Sequence, residues 1–230
     1  MHFHIDWSNM EARDDQLVSI AQECQANGWP SKVTRIVRAR PGSHIHHPEF
    51  QDVYATHTPD LLSSGNSFNT YLTALLADEA KTSDDIARHC DGVRRFFEKR
   101  RVGFGQTVIE IERVIAKLDG STIHVAEPAE CKSTAGLFEI HHFANLPVGA
   151  NISFDDWESL SNNAGICVGG WFQFERDGET AFRSVRFARS LDVVELVNEA
   201  RSAQRLASHV YGPGTTAETI VEQVLDIWRI

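Results

Sequence analysis

Long apolar runs are missing from this chain of 230 residues: no stretch of about 18 consecutive apolar residues occurs, so nothing in it reads as a membrane-spanning helix. Cysteine is scarce. The four residues Cys24, Cys90, Cys131 and Cys167 lie far apart and form no C-x-x-C pair. No basic segment followed by an apolar segment precedes the first structured stretch, Met1-His2-Phe3-His4, so no secretory signal is visible. Together these absences lead to the expectation of reduced thiols and a cytoplasmic location. Positive charge is in deficit, with 22 Lys+Arg against 32 Asp+Glu and a net charge of −10, which argues against broad nucleic-acid binding because counterion release needs a basic surface. Several catalytic signatures are absent too: there is no G-x-x-x-x-G-K-[ST] phosphate loop, no G-x-G-x-x-G after a strand, no G-x-S-x-G elbow and no H-E-x-x-H helix.

What is present is an ordinary globular hydrophobic fraction of 42%, which excludes a disordered chain, and 11 histidines concentrated in a few places. Two short internal echoes suggest a duplicated architecture. Gly103-Phe-Gly-Gln-Thr-Val-Ile-Glu110 resembles Gly212-Pro-Gly-Thr-Thr-Ala-Glu-Thr-Ile-Val-Glu222, and His2-Phe-His-Ile-Asp-Trp7 resembles Glu139-Ile-His-His-Phe143, in the same order within each half.

Periodicity gives the element order. In the first half, 2–7 alternates as a strand, 12–26 is helical with Asn27-Gly28 as its stop, 32–39 and 51–58 read as strands, 84–100 is helical with Ser83 as N-cap, and 106–117 closes the half as a strand. An insertion over 60–82 carries apolar residues at helical spacing (Phe68, Tyr71, Leu72, Leu75, Leu76) and reads as an amphipathic helix. In the second half, 137–144 is a strand and 154–163 a helix. A hairpin follows around Asp177-Gly178, then a helix over 192–207, and 217–228 fits either a strand or a helix, the repeat favouring a strand. The expected fold is therefore α+β: a duplicated ferredoxin-like (βαββαβ)2 plan with antiparallel sheets and a pseudo-two-fold axis. Residues 1–119 form one module, 120–136 a linker and 137–230 the second module.

The chemistry is expected where histidines and carboxylates share strand faces. Side chains alternate along a strand, so His2, His4 and Asp6 project together, as do Glu110 with Glu112 and Glu139 with His141, while Glu222 takes the place of Glu110 in the second half. Neutral imidazole with carboxylate suits a divalent metal such as Zn, Fe or Mn. The expected ligands are His2, His4, Asp6 and His141, with Glu110 and Glu222 as ligand or general base. The duplicated histidine on a first strand resembles the vicinal-oxygen-chelate arrangement, in which each module gives ligands to one divalent metal. That family builds βαβββ modules, whereas each half here carries a second helix.

A second histidine group, His44, His46 and His47 with Glu49, lies in a loop marked by Pro41, Gly42 and Pro48, and His57 ends the expected third strand. His46 and His57 are candidates for acid–base work near neutral pH. Arginines recur along strands of both halves, Arg35, Arg38 and Arg40 in one and Arg183, Arg186 and Arg189 in the other. Arg38 and Arg186 are candidates for holding an anion through the guanidinium fork. The leading expectation is a metal-dependent enzyme of hydrolase, lyase or oxygenase type. It would act on a small anionic molecule, without a nucleotide cofactor, nucleic acid or membrane, in an assembly that is a monomer or a homo-oligomer. The alternatives are a metal-free histidine acid–base enzyme and a non-catalytic ligand-binding or assembly module.

Overall fold

A computed structural model describes residues 1–7, 14–41, 69–76, 82–99, 108–118, 123–125, 137–145, 153–163, 170–176, 179–212 and 215–229. Within them the first half runs β1 (His2–Trp7), α1 (Asp14–Ala26), β2 (Ser31–Pro41), β3 (Asn69–Leu75), α2 (Ser83–Glu98) and β4 (Val108–Leu118). A short strand, β5 (Ile123–Val125), falls inside the expected linker. The second half runs β6 (Phe138–Asn145), α3 (Phe154–Asn163), β7 (Gly170–Arg176), β8 (Glu179–Ala188), α4 (Val193–Tyr211) and β9 (Thr216–Arg229).

The strands form one antiparallel sheet in the order β1-β3-β2-β7-β8-β6-β9-β4-β5, and β1 also pairs with β4. The sheet therefore curls until it meets itself, giving an α+β fold with one face turned inward. Strand β5 continues along β4 beyond the end of β1, pairing Val125 with Ala116. Each half contributes its strands in a matching order, β4-β1-β3-β2 and β9-β6-β8-β7, and the halves join through β2–β7 and β4–β9.

Alternation along the strands sorts side chains between the two faces. On the helix side, Phe3 and Ile5 of β1, Ala74 of β3 and Ile109 and Ile111 of β4 pack against Ile20 and Cys24 of α1 and Ile86, Val93 and Phe97 of α2. In the second half Phe138, Ile140, Ala188 and Val221 pack against Leu196 of α4. The inward face carries a smaller apolar cluster, Leu137, Phe187 and Val224 with Ile227 beside it. The polar residues described below share that face.

Residues 69–75 correct one expectation. Their apolar spacing reads as a helix, yet they form β3, hydrogen-bonded to β1 on one side and β2 on the other. The run Asn-Thr-Tyr-Leu-Thr-Ala-Leu holds two threonines and a tyrosine, which favour strands. Over so short a stretch, two available sheet partners outweigh helical spacing. The strand expected over 51–58 lies outside the described residues. The ambiguous stretch 217–228 is a strand, part of β9, with partners on both sides in β4 and β6.

The helix ends follow local chemistry. Gly28, at φ +79°, ends α1, and the backbone N–H of Trp29 bonds back to the carbonyl of Cys24 at 2.9 Å. The N-cap of α2 is Thr82 rather than Ser83; its Oγ1 accepts from the backbone N–H of Asp85 at 3.1 Å. Asp192 caps α4 by accepting from the N–H groups of Val194 and Glu195 at 2.8 and 3.1 Å. Asp192→Ala is therefore expected to destabilise the chain by about 1 kcal/mol. A denaturant midpoint that does not move would contradict this capping role.

Candidate metal centre in the curled sheet

The site grows from strand register. His2 of β1 lies opposite Glu112 of β4, and His4 lies opposite Glu110. In the second half Glu139 of β6 lies opposite Glu222 of β9, and His141 opposite Ile220. Strand β9 carries a bulge against β4, where the register shifts between Ile111 and Glu112. The expected equivalences of His4 with His141 and of Glu110 with Glu222 do not share one register, since His4 lies opposite Glu110 whereas His141 lies opposite Ile220. A period of two leaves same-face neighbours indistinguishable in sequence, and only the partner strand chooses between them.

Three imidazoles and three carboxylates thereby meet. His4 Nε2 stands 2.9 Å from Glu112 Oε2, and His2 Nε2 stands 3.3 Å from the same oxygen. His2 Nε2 is also 3.3 Å from Glu222 Oε1, while Glu222 Oε2 is 3.0 Å from His141 Nε2. Glu139 Oε2 completes the set, 3.1 Å from His141 Nε2. Imidazole and carboxylate alternate from His4 through Glu112, His2, Glu222 and His141 to Glu139. The ligand atoms of His2, His4, Glu112 and Glu222 lie within 4.8 Å of one another, as do those of Glu112, Glu139 and His141.

The environment is dry. Glu112 is 1% exposed and His141 2% exposed, and Glu222, Glu139 and Glu110 are also buried. Burial alone would neutralise these groups, so their ionisation depends on one another. For Glu112 burial opposes the charge, but the hydrogen bonds and charges of His2 and His4 prevail and hold its carboxyl well below the usual range. Glu222 is also lowered: burial and the Glu112 charge push it up, and His141 and His2 overcome them. The same balance raises His2, where burial is outweighed by Glu112 and Glu222. His141 is raised to about 9, since the charge of Glu222 and its contacts with Glu139 and Glu222 outweigh burial and the opposing charge of Arg183.

Two further atoms are informative. Glu112 Oε1 is buried with no hydrogen-bond partner. His141 Nε2 approaches two carboxylate oxygens closely yet lies outside hydrogen-bond alignment with either. A buried carboxylate oxygen without a partner and an imidazole nitrogen between two carboxylates can each face a cation.

Of the expected site residues, the cluster gathers His2, His4, His141 and Glu222. Glu110 is buried on the same face of β4 but stands outside both ligand groups. Asp6 lies in β1 opposite Tyr71 and Val108, and Arg38 in β2 opposite Gln173; the side chains of both fall outside the described residues. His46 and His57 also lie outside them. Arg186 is not brought to the cluster. It turns to the helix side, where its Nε donates to Glu199 of α4 at 3.1 Å and its second guanidinium nitrogen stands 2.8 Å from the other oxygen. His142, buried beside it, places Nδ1 2.9 Å from Thr219 Oγ1 and Nε2 3.3 Å from Glu199. Three members of the inward group, Glu112, Glu139 and Arg183, stand out in the sequence only as strand-face neighbours or recurring arginines and are not among the expected site residues. Arg183 lies opposite Phe143, with its guanidinium carbon 6.0 Å from that ring.

No family model and no curated protein matches the chain. Among solved structures it is similar to an anthrone oxidase-like protein, at 11% identity over 99% of this chain and 92% of that one, with a TM-score of 0.30. It is also similar to a proposed monooxygenase of Fusobacterium nucleatum, at 9% identity over 99% and 93% of the two chains and a TM-score of 0.30. A proposed dyp-type peroxidase of Shewanella oneidensis is similar at 12% identity over 98% and 93%, with a TM-score of 0.21. At such scores the chemistry of the site rests on its own residues.

Among the described residues no helix is long and apolar enough to cross a membrane. Cys24 sits on the buried face of α1, and burial pushes its thiol up to about 12, so it is inert rather than nucleophilic.

Proposed function

We propose that the chain is a divalent-metal-dependent enzyme acting on a small anionic molecule inside the curled sheet. Its two halves would be duplicated ferredoxin-like modules, 1–119 and 137–230. The convergence of His2, His4, Glu112 and Glu222 ligand atoms within 4.8 Å of one another carries this reading. Two imidazoles with carboxylates suit Zn, Fe or Mn. Such an ion supplies Lewis acidity and a bound water acidic enough to lose a proton near neutral pH.

The protein's own groups divide the remaining work. Glu110, on the same face of β4 as Glu112, is the carboxylate placed to move a proton beside the ligand set. Arg183, whose charge is felt at His141, offers the guanidinium fork for an anionic substrate. Phe187, Val224 and Leu137 line the same face and keep water from the reacting groups.

Thermal unfolding of the metal-stripped chain tests the reading. An ion at about 100 times its dissociation constant stabilises by about 2.7 kcal/mol, worth roughly 5–11 °C for a chain of this size. Small phosphates and carboxylates are then screened on the loaded protein, and turnover found there should vanish with chelator. No thermal shift with any of the three ions would contradict the proposal.

Metal uptake should also depend on pH with a defined sign. His141 has a pKa raised from 6.5 to about 9. Its imidazolium therefore stabilises the metal-free chain fully below pH 6.5, and that stabilisation is lost as pH rises through about 9. A metal must displace this proton. Apparent affinity should rise between pH 6.5 and 9, with proton release measurable by titration in buffers of different ionisation enthalpy. Affinity independent of pH across that range would contradict His141 as a ligand.

The alternation of imidazole and carboxylate at 2.9–3.3 Å also favours a second reading, metal-free acid–base chemistry through a proton-carrying chain. It predicts turnover that survives chelator and is lost in His141→Ala.

A further inference from the structure

The six residues hold more ligand atoms than one ion needs, and their arrangement has two ends. His2 and His4 stand at one end and His141 with Glu139 at the other. The two oxygens of Glu222 are divided between the ends, Oε1 beside His2 and Oε2 beside His141, each 3.0–3.3 Å from its imidazole. Glu112 belongs to both ligand groups. Its Oε2 serves His2 and His4, and its Oε1 is buried without a hydrogen-bond partner. From this geometry we infer that the centre is dinuclear, holding two divalent cations bridged by Glu112 and Glu222. His2 and His4 would complete one cation and His141 and Glu139 the other.

Charge supports two ions over one. The ligand set holds three carboxylates, Glu112, Glu139 and Glu222. One divalent cation beside neutral imidazoles leaves that set net negative, which repels an anion, whereas two leave it net positive. Two ions about 3.5–4 Å apart are the spacing at which a pair clamps the attacking and departing oxygens of one displacement. A dinuclear centre thus narrows the substrate to an anionic ester or amide, such as a phosphate ester, cleaved by water. Water adds across the bond and a proton leaves with the departing group, so no oxidant is required.

This inference rests on the metal-dependent reading, and stoichiometry separates the two. The full chain is stripped of metal, titrated with Mn(II), and assayed for bound metal per chain and by electron paramagnetic resonance. The expected result is two ions per chain and an exchange-coupled Mn(II) spectrum, with Glu139→Gln and His141→Ala each lowering the count to one and abolishing the coupling. A single uncoupled ion in the wild-type chain would overturn the dinuclear inference and leave the metal-dependent reading standing. No bound ion would overturn both. Circular dichroism of each variant establishes that a lower count reflects a lost ligand in a folded chain, and Glu139→Gln keeps the shape of the side chain.

Discussion

Replacing Glu112 with glutamine is expected to lower divalent-metal affinity at least about 100-fold, the upper end of what loss of an outer partner alone causes. Glu112 is the group on which both ends of the cluster depend. It is 1% exposed, its Oε2 serves both His2 and His4, and it belongs to both ligand groups. Glutamine keeps the volume but removes the charge, leaving a poor ligand beside two imidazoles. Glu112→Ala goes further in the metal-free chain. It strips the partner from two half-buried histidines, so its cost falls short of the about 3–5 kcal/mol lost when a fully buried ion pair loses one member. Calorimetric metal titration reads the first effect and denaturant unfolding the second. Wild-type affinity in Glu112→Gln would remove Glu112 from the site.

The second large effect lies on the opposite face of β1, the strand paired with β4. Phe3→Ala should destabilise the chain by about 3–5 kcal/mol, or roughly 6–20 °C in melting temperature. Phe3 is fully buried, with Trp29 and Phe97 set edge-on at ring distances of 5.7 and 5.9 Å, so its removal opens a cavity that rigid aromatic neighbours fill poorly. Its flanking residues, His2 and His4, point away from that core. The variant should therefore lose stability yet bind metal with near wild-type affinity below its melting temperature. Val194→Ala, at a side chain 70% exposed on α4, is the contrasting control and should change stability by less than about 0.5 kcal/mol. A Phe3→Ala chain as stable as wild type would contradict the packing described for β1.

Strand alternation made much of this legible in advance. His2 and His4 announced a shared face because Phe3 separates them and Ile5 follows, and the structure puts those apolar residues against α1 and α2. The helices over 14–26, 83–98, 154–163 and 193–211 were legible for the same reason, through apolar spacing, although the caps Thr82 and Asp192 were not. Register was not legible. Glu110 and Glu112 are equivalent to a period of two, and only the pairing of β4 with β1 brings Glu112 rather than Glu110 to His2. Arg183 and Arg186 are a different case: their odd separation, readable in the alternation, sends one inward beside Phe143 and the other outward to Glu199. Residues 69–75 were misread because seven residues hold barely two helical turns, too few for spacing to outweigh the sheet neighbours that the sequence does not display.

The central claim is that imidazoles from β1 and carboxylates from β4 and β9 together hold a divalent cation. Calorimetric titration of the metal-stripped chain with Zn(II), run in parallel on wild type and His4→Ala, tests it most directly. The account predicts saturable binding by the wild-type chain and an affinity at least about 100-fold weaker in the folded variant. Binding of equal strength in both, or none in the wild type, would contradict it.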